Sequence, residues 1–275
     1  MLNLNKLKIE RVMYELKEMY TRNYGIMEPE FGNILAWSGN LALEIISNSD
    51  ALYHNVDHTI MVAMVGQEII RGKHLKEGGI TPNDWLNFVL ALLCHDIGYV
   101  KGICKHDKED TIDDGRGNLV KVDPNGTDAQ LAEYHVDRGK AFIKERFADR
   151  PLIDAEAVGF YIEMTRFPCP DDEKHRSTSS LAGLTRAADF IGQLGDPNHL
   201  NKTVALFYEF VETGTAEKFG YKSPGDVRKK YAEFFWNNVE PYIRDAVSYL
   251  KVTHEGKQWI SSLHSHVFDI EHFKK

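Results

Sequence analysis

Three short segments carry the side chains that could do chemistry: Tyr53-His54-Asn55-Val56-Asp57-His58, Leu92-Leu93-Cys94-His95-Asp96-Ile97-Gly98 and Arg186-Ala187-Ala188-Asp189-Phe190. Each places a metal-binding imidazole or carboxylate inside a stretch that otherwise reads as buried helix. A polar group without a partner is costly there. Convergence on one divalent cation meets that cost, so the expectation is a metal site assembled from separate helices.

Taken singly, these residues say little. His54 and His58 are four apart, which puts both on one face if the segment is helical. A helix histidine is more often a hydrogen-bonded core or surface residue than a ligand, and Asp189 among Ala182, Gly183, Ala187 and Ala188 reads as an ordinary helix residue. The dipeptide His-Asp occurs twice. His95-Asp96 ends an apolar run, whereas His106-Asp107 falls in a polar stretch and is expected to be solvated.

The elements that must position these groups read as helices. Leu7, Val12, Leu16 and Met19 have near-helical spacing, and further helices are expected over 31–46, 53–70, 128–147, 154–165, 179–194, 202–213 and 224–250. Thr81-Pro82-Asn83-Asp84 is a helix start with a capping Thr, a first-turn Pro and an acid at the positive end of the dipole. The helix it opens is apolar almost all round, hence buried, and should end near Gly98. Strand signals are scarce. From about 105 to 128 the chain is rich in Asp, Gly, Asn and Lys, which predicts a long surface loop bordering the pocket, with a short hairpin around 118–122. Its acids lack the spacing and terminal Glu of a calcium loop.

At 275 residues with 43% hydrophobic side chains, the chain can bury a substantial core. No internal repeat or low-complexity linker divides it, so one domain over 1–275 is expected. The longest apolar run, Phe88 to Cys94, falls far short of the roughly 18 residues a membrane helix needs. The opening Met1-Leu2-Asn3-Leu4-Asn5-Lys6 has no secretory-signal pattern, and Cys94, Cys104 and Cys169 form no C-x-x-C pair. Reduced thiols and a cytoplasmic address are therefore the expectation. A net charge of −8 disfavours nucleic-acid backbones as partners but not a small phosphorylated substrate.

His58, then His95-Asp96, then Asp189 resembles the H...HD...D signature of the HD-domain metal-dependent phosphohydrolases, over about 50–195. The resemblance implies an all-α, HD-domain-like helical bundle, with a C-terminal helical extension over about 196–275. It implies His58, His95, Asp96 and Asp189 as ligands of one or two divalent ions (Mn, Fe, Mg, Co or Zn), which suit two imidazoles and two carboxylates. Tyr53-His54-Asn55-x-x-His58 is similar to the Y-H-N-x-x-H segment of the cyclic-nucleotide phosphodiesterases, which implies His54 as general acid. Asp189 would also orient the nucleophile.

The chain departs from those phosphodiesterases where H-D-x-x-H becomes His95-Asp96-Ile97-Gly98-Tyr99. Their base-binding glutamine has no clear counterpart, although Gln193 lies one turn after Asp189. His135 falls where some two-metal HD proteins place an extra ligand, or a group supporting one. Lys101, Arg166 and Arg186 are the candidate cations for the phosphate of a nucleotide or another small phosphorylated substrate. His254, His264, His266 and His272 are expected to have no chemical role. The expected activity is hydrolysis of a phosphodiester or nucleotide by metal-activated water. The alternatives are a nucleotide phosphomonoesterase or triphosphatase, a di-iron HD-type oxygenase, and a non-catalytic nucleotide sensor.

Overall fold

The structure, a computed structural model, describes residues 3–25 and 27–272; the first two positions of the amino-terminal reading lie outside the described residues. The chain is all-α apart from one small hairpin. Its helices are α1 (Leu4–Tyr24), α2 (Pro29–Ile46), α3 (Val56–Glu77), α4 (Pro82–Cys94), α5 (His135–Phe147), α6 (Ala155–Glu163) and α7 (Leu181–Leu194). There follow α8 (His199–Glu212), α9 (Thr215–Phe219), α10 (Pro224–Lys229), α11 (Tyr231–Phe234), α12 (Glu240–Leu250) and α13 (His254–His272). No helix among the described residues is long and apolar enough to cross a membrane.

Three helices frame the center of the bundle. α4 opens with a capping box in which Thr81 and Asp84 bond each other's backbone N–H, and Trp85 to Cys94 are buried almost without interruption. It stops at Cys94, earlier than its apolar pattern suggested. A short 3-10 turn, Ile97–Tyr99, follows. A Cβ at Gly98 would lie 1.8 Å from the carbonyl oxygen of His135, so only glycine lets this turn pack on the start of α5. α3 and α7 cross closely for a similar reason: a Cβ on Gly192 would sit 2.6 Å from the Cα of Val62. α1 and α2 pack together as a hairpin, with α2 also lying on α4.

The helices after α7 complete the same core rather than standing apart from it. Phe235, Val239, Ile243, Ala246 and Leu250 are buried in one continuous cluster with Val62, Ile69, Leu184 and Ile191. The expected continuous helix over 224–250 is instead divided, with a π-helical turn at Phe235–Val239 leading into α12.

Two other expectations are corrected. The helix expected from Asp128 is a 3-10 turn, Asp128–Leu131, and α5 begins only at His135. Asp107 is not solvated: its carboxylate is 1% exposed and takes the guanidinium of Arg138, itself 0% exposed, at 2.9 Å. His106 beside it is exposed. Arg138 also donates to the carbonyls of Gly98, Val100 and Asp113, tying the turn after His95-Asp96 to the polar segment. That segment forms an antiparallel hairpin, Thr111–Asp113 with Leu119–Lys121, paired Ile112 to Val120. Arg116 clamps it to Asp137 on α5, and Glu212 on α8 holds Thr127.

Removing one member of a buried ion pair strands the other charge. Arg138→Ala is therefore expected to lower unfolding stability by about 3–5 kcal/mol. Replacing both partners, as Arg138→Met with Asp107→Leu, should recover a large part of that loss. Urea titration of the three proteins checks this.

Candidate metal center

α3, the residues that follow α4, and α7 bring His58, His95 and Asp189 together, with Asp96 set against both imidazoles. His58 Nε2 and His95 Nε2 are 3.2 Å apart. Asp96 Oδ2 is 3.3 Å from the first and 3.1 Å from the second, and Asp189 Oδ1 is 3.3 and 3.6 Å from the same two atoms. His58, His95 and Asp96 are buried, while the Asp189 side chain is 21% exposed and marks the open side.

The donor set fits a cation. Ligand atoms about 2.1 Å from an ion lie about 3.0 Å apart along an octahedral edge and about 3.4 Å apart along a tetrahedral one. The observed separations, 3.1–3.6 Å, lie close to those values. Asp96 Oδ2 is buried and receives no hydrogen bond, which is a cost unless a positive charge sits beside it. His95 Nδ1 donates to the carbonyl of Leu92 at 2.8 Å, leaving its Nε2 lone pair facing the cluster. Burial disfavors the imidazolium of His95, yet the charges of Asp96 and Asp189 outweigh it and raise its pKa to about 9. His58 is raised in the same way, against burial, by the carboxylates of Asp189 and Asp96, each 3.3 Å from its Nε2. The cavity is a region of negative potential, and a divalent cation competes with protons for it. His58, His95 and Asp189 form a group that could hold a metal ion.

His54 stands beside this cluster by a route the sequence pattern did not anticipate. The side chain of Asn55 caps α3 by accepting from the backbone N–H groups of Asp57 and His58, so the helix begins at Val56. His54 consequently lies outside the helix, not on one helical face with His58. Glu209, on α8 and 3% exposed, fixes it there: its carboxylate takes the backbone N–H of Tyr53 at 2.6 Å and pairs with His54 Nδ1 at 2.6 Å. Burial lowers the pKa of His54, but the charge and hydrogen bond of Glu209 carry it above its ordinary value. Glu209 is held below the usual carboxylate range against its own burial, chiefly by His54. The two rings His54 and His58 are 5.7 Å apart.

Tyr99 stacks between His54 and His135, with ring centroids 4.5 Å from each. His135 Nδ1 is 2.6 Å from the carbonyl of Ala132, and its Nε2 is 3.9 Å from Asp96 Oδ1. Burial lowers the pKa of His135, so its imidazole is neutral and able to act as a ligand.

The candidate phosphate cations have other partners. Lys101 Nζ donates to the carbonyl of Gly126 at 2.8 Å and lies 3.6 Å from Asp128. Arg166 forks onto Glu163 and contacts Asp137 at 3.0 Å. Arg186 is 2% exposed, and its guanidinium is bonded to Cys169 and to the carbonyls of His175 and Ser177. Gln193 is partly buried one turn beyond Asp189. None of the four makes a hydrogen bond or ion pair with His58, His95, Asp96 or Asp189 among the described residues.

Glu209 escaped the sequence reading because no local pattern marks it: it sits 155 positions from His54, inside an unremarkable helical stretch. No curated protein matches the chain. The Npun_R2479-like family profile matches residues 2–273, nearly the whole length. The chain belongs to the Npun_R2479-like family.

Proposed function

We propose that this chain is a metal-dependent phosphohydrolase of the HD-domain kind, acting on a small phosphodiester or nucleotide. One observation supports the reading above the others: the His58–His95–Asp189 group, with Asp96 against both imidazoles, has a histidine beside it that is oriented by its own carboxylate. A purely structural metal site has no use for the His54–Glu209 pair.

His58, His95, Asp96 and Asp189 would hold the ion. A divalent cation there supplies a Lewis acid that polarises a phosphoryl group and acidifies water. Asp189, on the open side, accepts a hydrogen bond from the attacking water and sets its direction. His54 Nδ1 is engaged by Glu209, so the proton it gives to the leaving oxygen comes from Nε2. The three cysteines, all free, agree with a reducing compartment such as the cytoplasm.

A second reading follows from His135, whose Nε2 lies 3.9 Å from Asp96 Oδ1. His135 and Asp96 would hold a second ion, and two irons held there would supply the redox chemistry that a di-iron oxygenase needs. One experiment separates them. Metal-reconstituted protein is assayed against cyclic nucleotides, nucleoside mono- and triphosphates and bis-p-nitrophenyl phosphate, with elemental analysis of the same sample. Turnover with a redox-inert metal supports hydrolysis, and no turnover of any phosphate ester with any metal removes it.

A further inference from the structure

Tyr99 closes the 3-10 turn that follows His95-Asp96 and is buried. Its backbone has little freedom. The carbonyl of Gly98 on one side accepts from Arg138 Nε at 2.7 Å, and the carbonyl of Val100 on the other accepts from Arg138 Nη2 at 2.9 Å. The N–H of Tyr99 itself donates to the carbonyl of Asp96 at 3.0 Å, and Gly98 lets the turn seat directly on the start of α5. One buried guanidinium thus pins the chain on both sides of one aromatic ring.

Both faces of that ring are occupied. His54 stacks on one with centroids 4.5 Å apart and planes 15° from parallel, and His135 on the other at 4.5 Å and 18°. The two imidazoles are alike in a second respect. Nδ1 of each is fixed at 2.6 Å, in His54 by Glu209 and in His135 by the carbonyl of Ala132. A hydrogen bond at one nitrogen leaves a ring able to rock about that bond. A stacked neighbor opposes the rocking, which would either drive ring atoms into the adjacent plane or open a gap and lose contact. Under both constraints each Nε2 has one direction. His54 Nε2 makes no hydrogen bond among the described residues, and His135 Nε2 stands 3.9 Å from Asp96 Oδ1. The Tyr99 hydroxyl makes no hydrogen bond among the described residues either, so it is the ring that acts on both histidines.

We propose that Tyr99 is a positioning residue that sets the ring planes of His54 and His135 and thereby aims the Nε2 of each, the first at the leaving oxygen and the second at the metal cluster. The effect on rate rests on the hydrolase reading above, whereas the effect on ring geometry does not. Tyr99 neither gives nor takes a proton. The buried Arg138–Asp107 pair gains a purpose beyond stability, since it holds the turn that holds the ring.

The test compares full-length Tyr99→Phe and Tyr99→Leu with the parent, each reconstituted with Mg or Zn, on an alkyl phosphodiester and on bis-p-nitrophenyl phosphate. Tyr99→Phe keeps the ring and should stay within about twofold of the parent in kcat on both. Tyr99→Leu removes the flat wall. A group misplaced by about 1 Å costs on the order of 10²-fold, so kcat on the alkyl ester should fall about that far with KM nearly unchanged, and much less on the nitrophenyl ester, whose leaving group needs little protonation. Metal content should not change. A residue that merely packs would slow both substrates together.

A second measurement needs no turnover. In NMR spectra of the same samples, the carbon-bound imidazole protons of His54 and His135, assigned with His54→Ala and His135→Ala, should be displaced upfield by the Tyr99 ring current. The displacement should persist in Tyr99→Phe and vanish in Tyr99→Leu. If the parent hydrolyses no phosphate ester, the hydrolase reading falls and these spectra decide the positioning. If Tyr99→Leu does not fold, the parent and Tyr99→Phe decide. A loss in Tyr99→Phe that approaches that of His54→Ala, equal losses on the two substrates in Tyr99→Leu, or undisplaced imidazole protons in the parent overturns the proposal.

Discussion

Asp96→Ala is expected to abolish stoichiometric metal binding and, with it, all hydrolysis. Asp96 Oδ2 lies within 3.1–3.3 Å of both imidazoles of the cluster, and it is the buried oxygen with no hydrogen-bond donor. Removing it takes away a ligand and half of the negative charge that draws a cation in. Outer partners of ligands cost roughly 10- to 100-fold in affinity when mutated, and loss of a ligand itself should exceed that range. The apo protein should not gain stability from the change. Asp96 is held well below the usual carboxylate range, against its burial, by the charge of His95 and by the imidazoles of His58 and His95 lying 3.1–3.3 Å from its Oδ2. A group with a depressed folded pKa stabilises the fold above its unfolded value near 4, and that contribution disappears with the side chain. Inductively coupled plasma analysis after dialysis, alongside thermal unfolding with and without added Mn, reads both effects. An Asp96→Ala protein that keeps one equivalent of metal at the parent's affinity would sink the ligand assignment.

How much of this center could be read from the sequence depends on how local each cause is. His95-Asp96 was legible because it ends a run from Trp85 to Cys94 that is buried on every side, and a polar pair at that place needs a reason. Asp189 was legible only in combination with it. The start of α3 was misread by three residues, since the helical periodicity around His54 and His58 carries no record that Asn55 would turn its amide back to cap the chain. Glu209 and Arg138 were invisible for a different reason. Glu209 stands in an apolar helical stretch and Arg138 in a charged one, and each is paired with a residue distant in sequence: His54 for Glu209, and Asp107 for Arg138. Pairing of charges across distant helices leaves no periodic trace. The loop between 105 and 128 was legible as polar, but its hairpin pairs 111–113 with 119–121 rather than lying within 118–122, and its anchoring through Asp107 and Arg116 left no trace in the sequence.

Those two hidden partners make the His54–Glu209 pair the sharper test of mechanism. His54→Ala should keep its metal and its fold while losing roughly 10²- to 10⁴-fold in rate on substrates with poor leaving groups. A p-nitrophenyl ester needs little protonation and should suffer much less. Glu209→Gln probes the same proton without deleting the ring. Glu209 raises the pKa of His54, which keeps the imidazolium populated to higher pH, so its removal should shift the alkaline fall of kcat on an alkyl phosphodiester toward lower pH. The same sign governs stability. A raised His54 stabilises the fold fully below its unfolded pKa near 6.5, and this is lost as pH rises through the folded value; a depressed Glu209 stabilises above its unfolded pKa near 4.3, and this is lost as pH falls through the folded value. The pair therefore contributes most between those limits, and Glu209→Gln should cost stability there and progressively less outside it. Rates from pH 5 to 10 on both substrate types, with unfolding at matched pH, separate an acid from a bystander. Equal losses on the two substrates in His54→Ala, together with an unmoved alkaline limb in Glu209→Gln, would leave the pair a structural tether between α8 and the start of α3.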